Sequence, residues 1–318
     1  MKSQKNMHLV KALIIKPKES VKLEEISLEK KSSNEELVTW EVSSVCNSER
    51  RRYNLTKSKD DSLAFIGGHE AVGFIEDEKY INRRYALLPH SNCLTRGEEN
   101  PCKNCTEGKE NLCIGMVHAG LDKDTPSGFT EKMFVDRSQL FDVTEVDNGL
   151  APFLEPLSCV IRSWKLAKTA IQENDNLRIG IIGGGPIGCL HALYSRKLNP
   201  TSDIFLIEKD HKKRSVLNEM FRDLENISIV SNDFEGNCDI SVMASSDSSA
   251  YSEAERVLNE DGHLILFSGF NEVNYDDGYL PEVVHRNEFI HHANNKILIG
   301  SSGYTSEDLI AAKLTLLD

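Results

Sequence analysis

Gly183-Gly184-Gly185-Pro186-Ile187-Gly188 follows the β-favouring run 177–182 without a break and opens a helix-like stretch, 186–197. In that setting a G-x-G-x-x-G is the turn of a dinucleotide-binding βαβ unit. Gly183 permits the tight turn, Gly185 lets the backbone approach a pyrophosphate, and Gly188 allows the helix to pack closely on the strand. Pro186 and Ile187 begin the helix whose N-terminus faces the phosphates. Glu208 stands twenty residues beyond Gly188, at the end of the next β-run. A carboxylate there accepts hydrogen bonds from the adenosine ribose hydroxyls and repels a 2′-phosphate, so NAD is the preferred cofactor. Lys209, Lys212, Lys213 and Arg214 keep NADP open if they clamp a phosphate; their other reading is a solvated helix face. The glycines alone are also compatible with a tight βα turn that binds nothing.

Around this turn the pattern alternates. Strands are expected at 177–182, 203–207, 227–230, 240–244 and 263–267, with helices at 186–197, 211–224 and 250–258, the signature of a parallel sheet covered by helices. Upstream of Pro156 the β-favouring runs 11–15, 36–45 and 71–75 dominate, and helical periodicity is largely missing. The chain therefore reads as α/β, with a β-rich domain at 1–155 and a doubly wound domain at 156–290. Its 318 residues, 39% hydrophobic, suffice for two ordinary cores.

Lys and Arg number 37 against 50 Asp and Glu, a net charge of -13, which disfavours nucleic acid or an anionic membrane as partner. A small, uncharged or cationic ligand fits better. The most apolar stretch, 179–193, is interrupted by five glycines, a proline and a histidine and is too short to span a bilayer. Residues 1–6 are polar and lack the apolar core of a signal peptide. A cytoplasmic protein is expected.

Four of the eight cysteines crowd together as Cys93-x8-Cys102-x2-Cys105-x7-Cys113. In a reducing compartment such a cluster reads as four thiolates on one Zn2+, a closed and therefore structural site. The intervening segments are too polar to bury a core, and zinc would supply the missing folding energy. Surface thiols without metal are the alternative. A second constellation is dispersed: Cys46-Asn47-Ser48-Glu49-Arg50 after a β-run, Gly68-His69-Glu70-Ala71-Val72-Gly73, and Leu154-Glu155-Pro156 at the domain boundary. Singly, the histidine reads as a packing or surface residue and the cysteine as a small buried hydrophobe. Together they offer thiolate, imidazole and carboxylates, ligands for a zinc that keeps an exchangeable position.

These segments resemble the zinc-dependent medium-chain dehydrogenases, especially the sorbitol, glucose and related polyol dehydrogenase branch, over nearly the whole chain. Cys46-Asn47-Ser48-Glu49 stands where that family has Cys-Gly-[Thr/Ser]-Asp; Gly68-His69-Glu70 matches its Gly-His-Glu element, and Cys102, Cys105 and Cys113 match its four-cysteine lobe. Gly128-Phe129-Thr130-Glu131, Glu155-Pro156-Leu157-Ser158 and 296–301 resemble three further family segments. Six residues, about 94–99, stand inserted between Cys93 and Cys102, where a gap of two is usual.

The resemblance implies a GroES-like catalytic domain, with its lobe at 93–113 and completed by 291–318, around a Rossmann domain. Cys46 and His69 would ligate a catalytic zinc, with Glu70 and Glu155 coordinating directly or through water, and Cys93, Cys102, Cys105 and Cys113 would hold a structural zinc. Ser48 would pass the substrate proton towards solvent. Members are usually dimers or tetramers, so a homo-oligomer is implied. The expected activity is hydride transfer between NAD(P) and a secondary hydroxyl or ketone of a polyol, sugar or cyclitol. Ser44, Arg50, His291, His292, Asn294 and Asn295 are candidate partners for substrate hydroxyls, and Arg162 a candidate for an anionic group. A threonine- or amino-sugar-type dehydrogenase and a non-catalytic nucleotide-binding protein are the alternatives.

Overall fold

In the computed structural model, which describes residues 7–54, 64–120, 127–170, 176–247, 249–268, 288–293 and 295–318, the chain divides into two units. The first is Met1–Pro156 with Thr305–Asp318, and the second is Leu157–Tyr304.

The first unit is built from antiparallel strands. β1 (Met7–Lys16) and β2 (Ser20–Glu29) form a hairpin. β3 (Glu35–Ser44) leads into the short helix α1 (Asn47–Tyr53), followed by β4 (Glu70–Ile75), β5 (Tyr85–Leu87) and β6 (His90–Ser91). The lobe carries α2 (Lys103–Thr106), and β7 (Val117–His118), β8 (Lys132–Asp136) and β9 (Leu140–Asp142) complete the unit's strands. A five-stranded sheet runs β8-β3-β4-β5-β9. Alternate residues of its strands face inward, so Val38, Ala71, Tyr85, Leu87, Met133 and Val135 pack with Val10 and Leu28 of the hairpin in one core.

The second unit begins inside α3 (Leu154–Ala170). It continues through β10 (Arg178–Ile182), α4 (Pro186–Leu198), β11 (Asp203–Ile207), α5 (His211–Phe221) and β12 (Ile227–Val230). β13 (Cys238–Met243), α6 (Ala250–Arg256) and β14 (Leu258–Leu266) follow, then β15 (Phe289–Ala293) and β16 (Lys296–Gly300). The sheet order is β12-β11-β10-β13-β14-β16-β15, parallel except for the antiparallel edge strand β15. Ile179, Ile181, Ile204, Leu206, Ile240, Leu264 and Ile265 are fully buried, as strands covered on both faces require. The order reverses beside β10, so the glycine turn lies at the switch point where doubly wound sheets bind ligands.

The expected strands and helices of this unit recur with shifts of a few residues, the largest at β14, which starts earlier. One difference concerns the return of the chain. The sequence places that return at residue 291, whereas β15 and β16 extend the second unit's sheet and the first unit resumes at Thr305 with α7 (Ser306–Leu317). A capping box between Thr305 and Asp308 starts that helix. No helix among the described residues is long and apolar enough to cross a membrane.

Candidate active site and cysteine lobe

Ser44 at the end of β3 is the register partner of Glu70 at the start of β4, so the residues just beyond them, Cys46 and His69, emerge side by side. The thiol, imidazole and carboxylate of Cys46, His69 and Glu70 lie within 4.8 Å of one another. The turn before His69 is strapped by residues 127–129: the N–H groups of Gly128 and Phe129 donate to the carbonyls of Gly68 and Gly67, each at 2.9 Å. Gly68 has φ +90, and a Cβ there would meet the Phe129 backbone at 2.6 Å, so the turn requires glycine. Ser44 Oγ donates to Glu70 Oε2, fixing one oxygen of a carboxylate that is only 8% exposed.

Glu49, one turn along α1 from Cys46, has a role that the sequence alone does not show. It is buried, and its Oε1 accepts from His69 Nδ1 at 2.7 Å and from the Gly68 N–H at 3.0 Å. Burial works against its charge, but the hydrogen bond and charge of His69 and the Gly68 N–H outweigh it and lower its pKa. Burial likewise opposes charge on His69, yet the Cys46 and Glu49 hydrogen bonds, with the fields of Glu155 and Glu49, push it up to about 12. Such surroundings favour a bound cation. With Nδ1 committed to Glu49, Nε2 is the nitrogen left to a metal. Glu155, buried in the first turn of α3, reaches His69 through its field but is outside the 4.8 Å cluster. Ser48 lies half-buried on α1, two residues from Cys46.

Cys93, Cys102, Cys105 and Cys113 form the second cluster, their sulfurs within 4.8 Å of one another. The Cys93–Cys113 and Cys102–Cys113 Sγ separations are 3.5 Å and 4.0 Å. Zinc–sulfur bonds of about 2.3 Å in a tetrahedron put sulfurs about 3.8 Å apart, so the four thiols fit one zinc. N–H groups of Cys105 and Ile114 bring Cys102 down to about 6, while burial and the neighbouring thiols push Cys105 up to about 12. Glu110, within the lobe, accepts from the Ser306 N–H at 2.8 Å, tying the lobe to the start of α7.

In the second unit, a Cβ on Gly188 would collide with the Gly183 carbonyl oxygen, the close helix–strand approach expected of this turn. At Gly185, the N-cap of α4, a Cβ would meet nothing within 4 Å, leaving room for a pyrophosphate beside the helix N-terminus. Pro186 and Ile187 form the first turn of α4. Glu208, 6% exposed, accepts from the N–H groups of Gly184 and Asp210 at 3.0 and 2.9 Å. Lys209 is paired with Asp247 at 2.7 Å, Lys213 lies 3.9 Å from Glu208, and Arg214 donates to the carbonyls of Glu208 and Lys209. Those three cations are engaged by protein groups.

Among the remaining candidates, Arg162 has a partner other than the one expected. Arg162 forms a two-pronged ion pair with Glu288, so its anionic partner is a protein side chain. Ser44 faces Glu70, and Arg50 is exposed. His291 and His292 are exposed on β15, and Asn295 occupies a turn with φ 57. Asn294 lies outside the described residues.

A β-rich unit carrying a thiolate–imidazole–carboxylate cluster and a four-cysteine lobe, followed by a doubly wound unit with a glycine-rich switch-point turn, defines a zinc-type dehydrogenase fold. The comparisons agree. The structure superimposes on L-idonate 5-dehydrogenase of Escherichia coli K-12 with a TM-score of 0.71 at 21% identity, covering 99% of this chain and 89% of that one. In sequence it is 28% identical over 169 residues to the L-idonate 5-dehydrogenase (NAD(P)(+)) of E. coli K12, covering 50% of this chain and 46% of that protein. It is 27% identical over 233 residues to S-(hydroxymethyl)glutathione dehydrogenase of Saccharomyces cerevisiae, 66% of this chain and 59% of that protein. The alignments thus span about half the length of these curated relatives. No protein-family model matches the chain. The fold is thus that of the zinc-binding dehydrogenases, and over these stretches the sequence is similar to alcohol and polyol dehydrogenases.

Proposed function

We propose that the protein is a zinc-dependent, NAD-preferring dehydrogenase that oxidises a secondary hydroxyl of a polyol, sugar or cyclitol, or reduces the corresponding ketone. The observation that carries this reading is the convergence of Cys46, His69 and Glu70, with His69 held by Glu49. Three protein ligands leave a zinc position open to a substrate oxygen. The relatives' names point to the same chemistry, since L-idonate and D-altritol, in the names of two of them, are polyhydroxylated compounds.

Bound zinc would lower the pKa of the substrate hydroxyl, and bound NAD would accept the hydride. The chain's own residues do the rest. Glu49 fixes the His69 ring and its tautomer, and Ser44 leaves Glu70 one free oxygen for a metal. Ser48 takes the hydroxyl proton and passes it towards solvent. Glu155, whose field reaches the site, accepts hydrogen bonds from water or from a neighbouring substrate hydroxyl, which favours polyhydroxylated substrates. Gly183, Gly185, Pro186, Ile187 and Gly188 receive the pyrophosphate, and Glu208 the ribose hydroxyls. The pairing of Lys209 with Asp247 supports NAD over NADP. Cys93, Cys102, Cys105 and Cys113 hold the structural zinc. All eight cysteines are free thiols, which supports a cytoplasmic setting, and a homodimer or homotetramer completes the reading.

The test is reduced-nicotinamide formation from NAD or NADP by the zinc-loaded protein against polyols, aldoses, cyclitols, simple alcohols and threonine. Chelator-sensitive turnover with a polyhydroxylated class is the expected result. Turnover with threonine alone would move the protein to the amino-acid dehydrogenases. Silence from a folded, zinc-replete, NAD-binding sample across this panel would favour a non-catalytic binding protein.

A further inference from the structure

The segment 94–99, inserted between the first two cysteines of the lobe, is folded tightly. Asn92 Oδ1 accepts from the N–H groups of Leu94 and Thr95 at 2.9 and 3.0 Å, and the Glu98 N–H donates to the Cys93 carbonyl at 3.0 Å. The turn returns Arg96 over the sulfur cluster. Its Nη1 donates to the Ser91 carbonyl at 2.6 Å and its Nε to Glu98 Oε1 at 2.8 Å, while Nη2 lies 3.9 Å from Cys93 Sγ. The guanidinium crosses the face of Gly115, where a Cβ would stand 3.3 Å from Nη2. Four thiolates on one zinc make a net dianion, and hydrogen bonds to coordinated sulfur disperse that charge.

We propose that Arg96 is a positioning residue for the lobe's metal: its guanidinium is the outer partner of the Cys93 thiolate and holds that thiolate on the metal. The inserted segment then has a purpose. It lengthens the gap between the first two ligands and supplies the cation that steadies the longer arm. Arg96 also pairs with Glu98, whose carboxylate lies against the Cys93 side chain, so loss of the guanidinium leaves that thiolate beside an unneutralised like charge. This inference rests on the reading of the four cysteines as a zinc site.

The experiment follows zinc release from the full zinc-loaded chain to a chromophoric chelator, the lobe's phase being the one that Cys105→Ser removes. Arg96→Met speeds that phase by about tenfold or more, the scale of losing an outer-sphere partner. Arg96→Lys, which keeps a charge, falls between the two, and adding Glu98→Gln to Arg96→Met recovers part of the loss. In the cobalt-substituted protein the thiolate-to-metal absorption shifts in Arg96→Met, a change that mere loosening of the loop would not produce. An unchanged release phase and spectrum in Arg96→Met would overturn the role of Arg96. Absence of any Cys105-dependent zinc phase and of thiolate–cobalt absorption in the parent would instead remove the zinc reading itself, and the inference with it.

Discussion

Glu49 Oε1, on a buried side chain, and His69 Nδ1 are 2.7 Å apart, and the same oxygen accepts the Gly68 N–H. One carboxylate oxygen thus sets both the ring of a proposed metal ligand and the turn that presents it. Glu49→Ala removes both bonds and leaves His69 free to rotate. The expected outcome is about 10- to 100-fold weaker zinc binding at the Cys46 site, with turnover lost in parallel, while the lobe's zinc is unaffected. Metal titration followed by elemental analysis checks it; unaltered affinity would make Glu49 a packing residue only.

The Glu49–His69 pair also shows what was legible in the sequence and what was not. The glycine turn and the flanking runs place β11 and β12 at the residues where they occur, because apolar runs and glycine punctuation are local properties. Cys46, His69 and Glu70 were recognisable as chemically complementary residue types. Their meeting depends on the β3–β4 register, a long-range fact. Glu49 had two local signals, its place three residues after the cysteine and its match to the Asp of the Cys-Gly-[Thr/Ser]-Asp pattern, but neither assigns it a partner, because His69 lies twenty residues further on. The partners of Lys209 and Arg162, Asp247 and Glu288, are far away in sequence, so cations that looked available for phosphate turn out to be engaged. β15 is not legible in the sequence, because Phe289-Ile290-His291-His292-Ala293 is short and only partly apolar.

Glu208 bridges the N–H groups of Gly184 and Asp210 and keeps its carboxylate at the glycine turn. Glu208→Ala removes the acceptor for a ribose hydroxyl and the charge that repels a 2′-phosphate. The ratio of kcat/KM for NAD over NADP should fall by an order of magnitude or so, about 1.4 kcal/mol, chiefly through weaker use of NAD. Adding Asp247→Asn frees Lys209 and should improve NADP further. An unchanged ratio in both variants would show that neither group meets the ribose.

Cys105→Ser opens a closed four-thiolate site in a lobe whose Glu110 caps the N-terminus of α7 through Ser306. A three-ligand remnant holds zinc less tightly, and the lobe has little apolar core to replace it. The variant should lose one zinc per chain, melt at lower temperature, and exchange the amide hydrogens of the first turn of α7 faster than the parent. Equal melting temperatures in the two proteins would mean that the lobe does not depend on metal.

His191 is fully buried in α4, where its Nδ1 accepts from Trp164 Nε1 at 3.0 Å and its ring stands edge-on to Phe267. Burial alone pushes its pKa down to about 3. The unfolded chain, with an ordinary histidine near pH 6.5, therefore binds a proton that the folded chain refuses between about pH 6.5 and 3. Unfolded protein binding more protons means that stability rises with pH across this window and is lost on acidification, at up to about 1.4 kcal/mol per pH unit from this group. Above pH 6.5 both states are neutral and the contribution is flat. His191→Gln keeps an acceptor for Trp164 but has no proton to gain. Denaturant unfolding at pH 7 and pH 5 should show the parent losing about 2 kcal/mol more than the variant over that interval. Parallel losses would mean that His191 is protonated in the folded protein, and that burial does not hold it neutral.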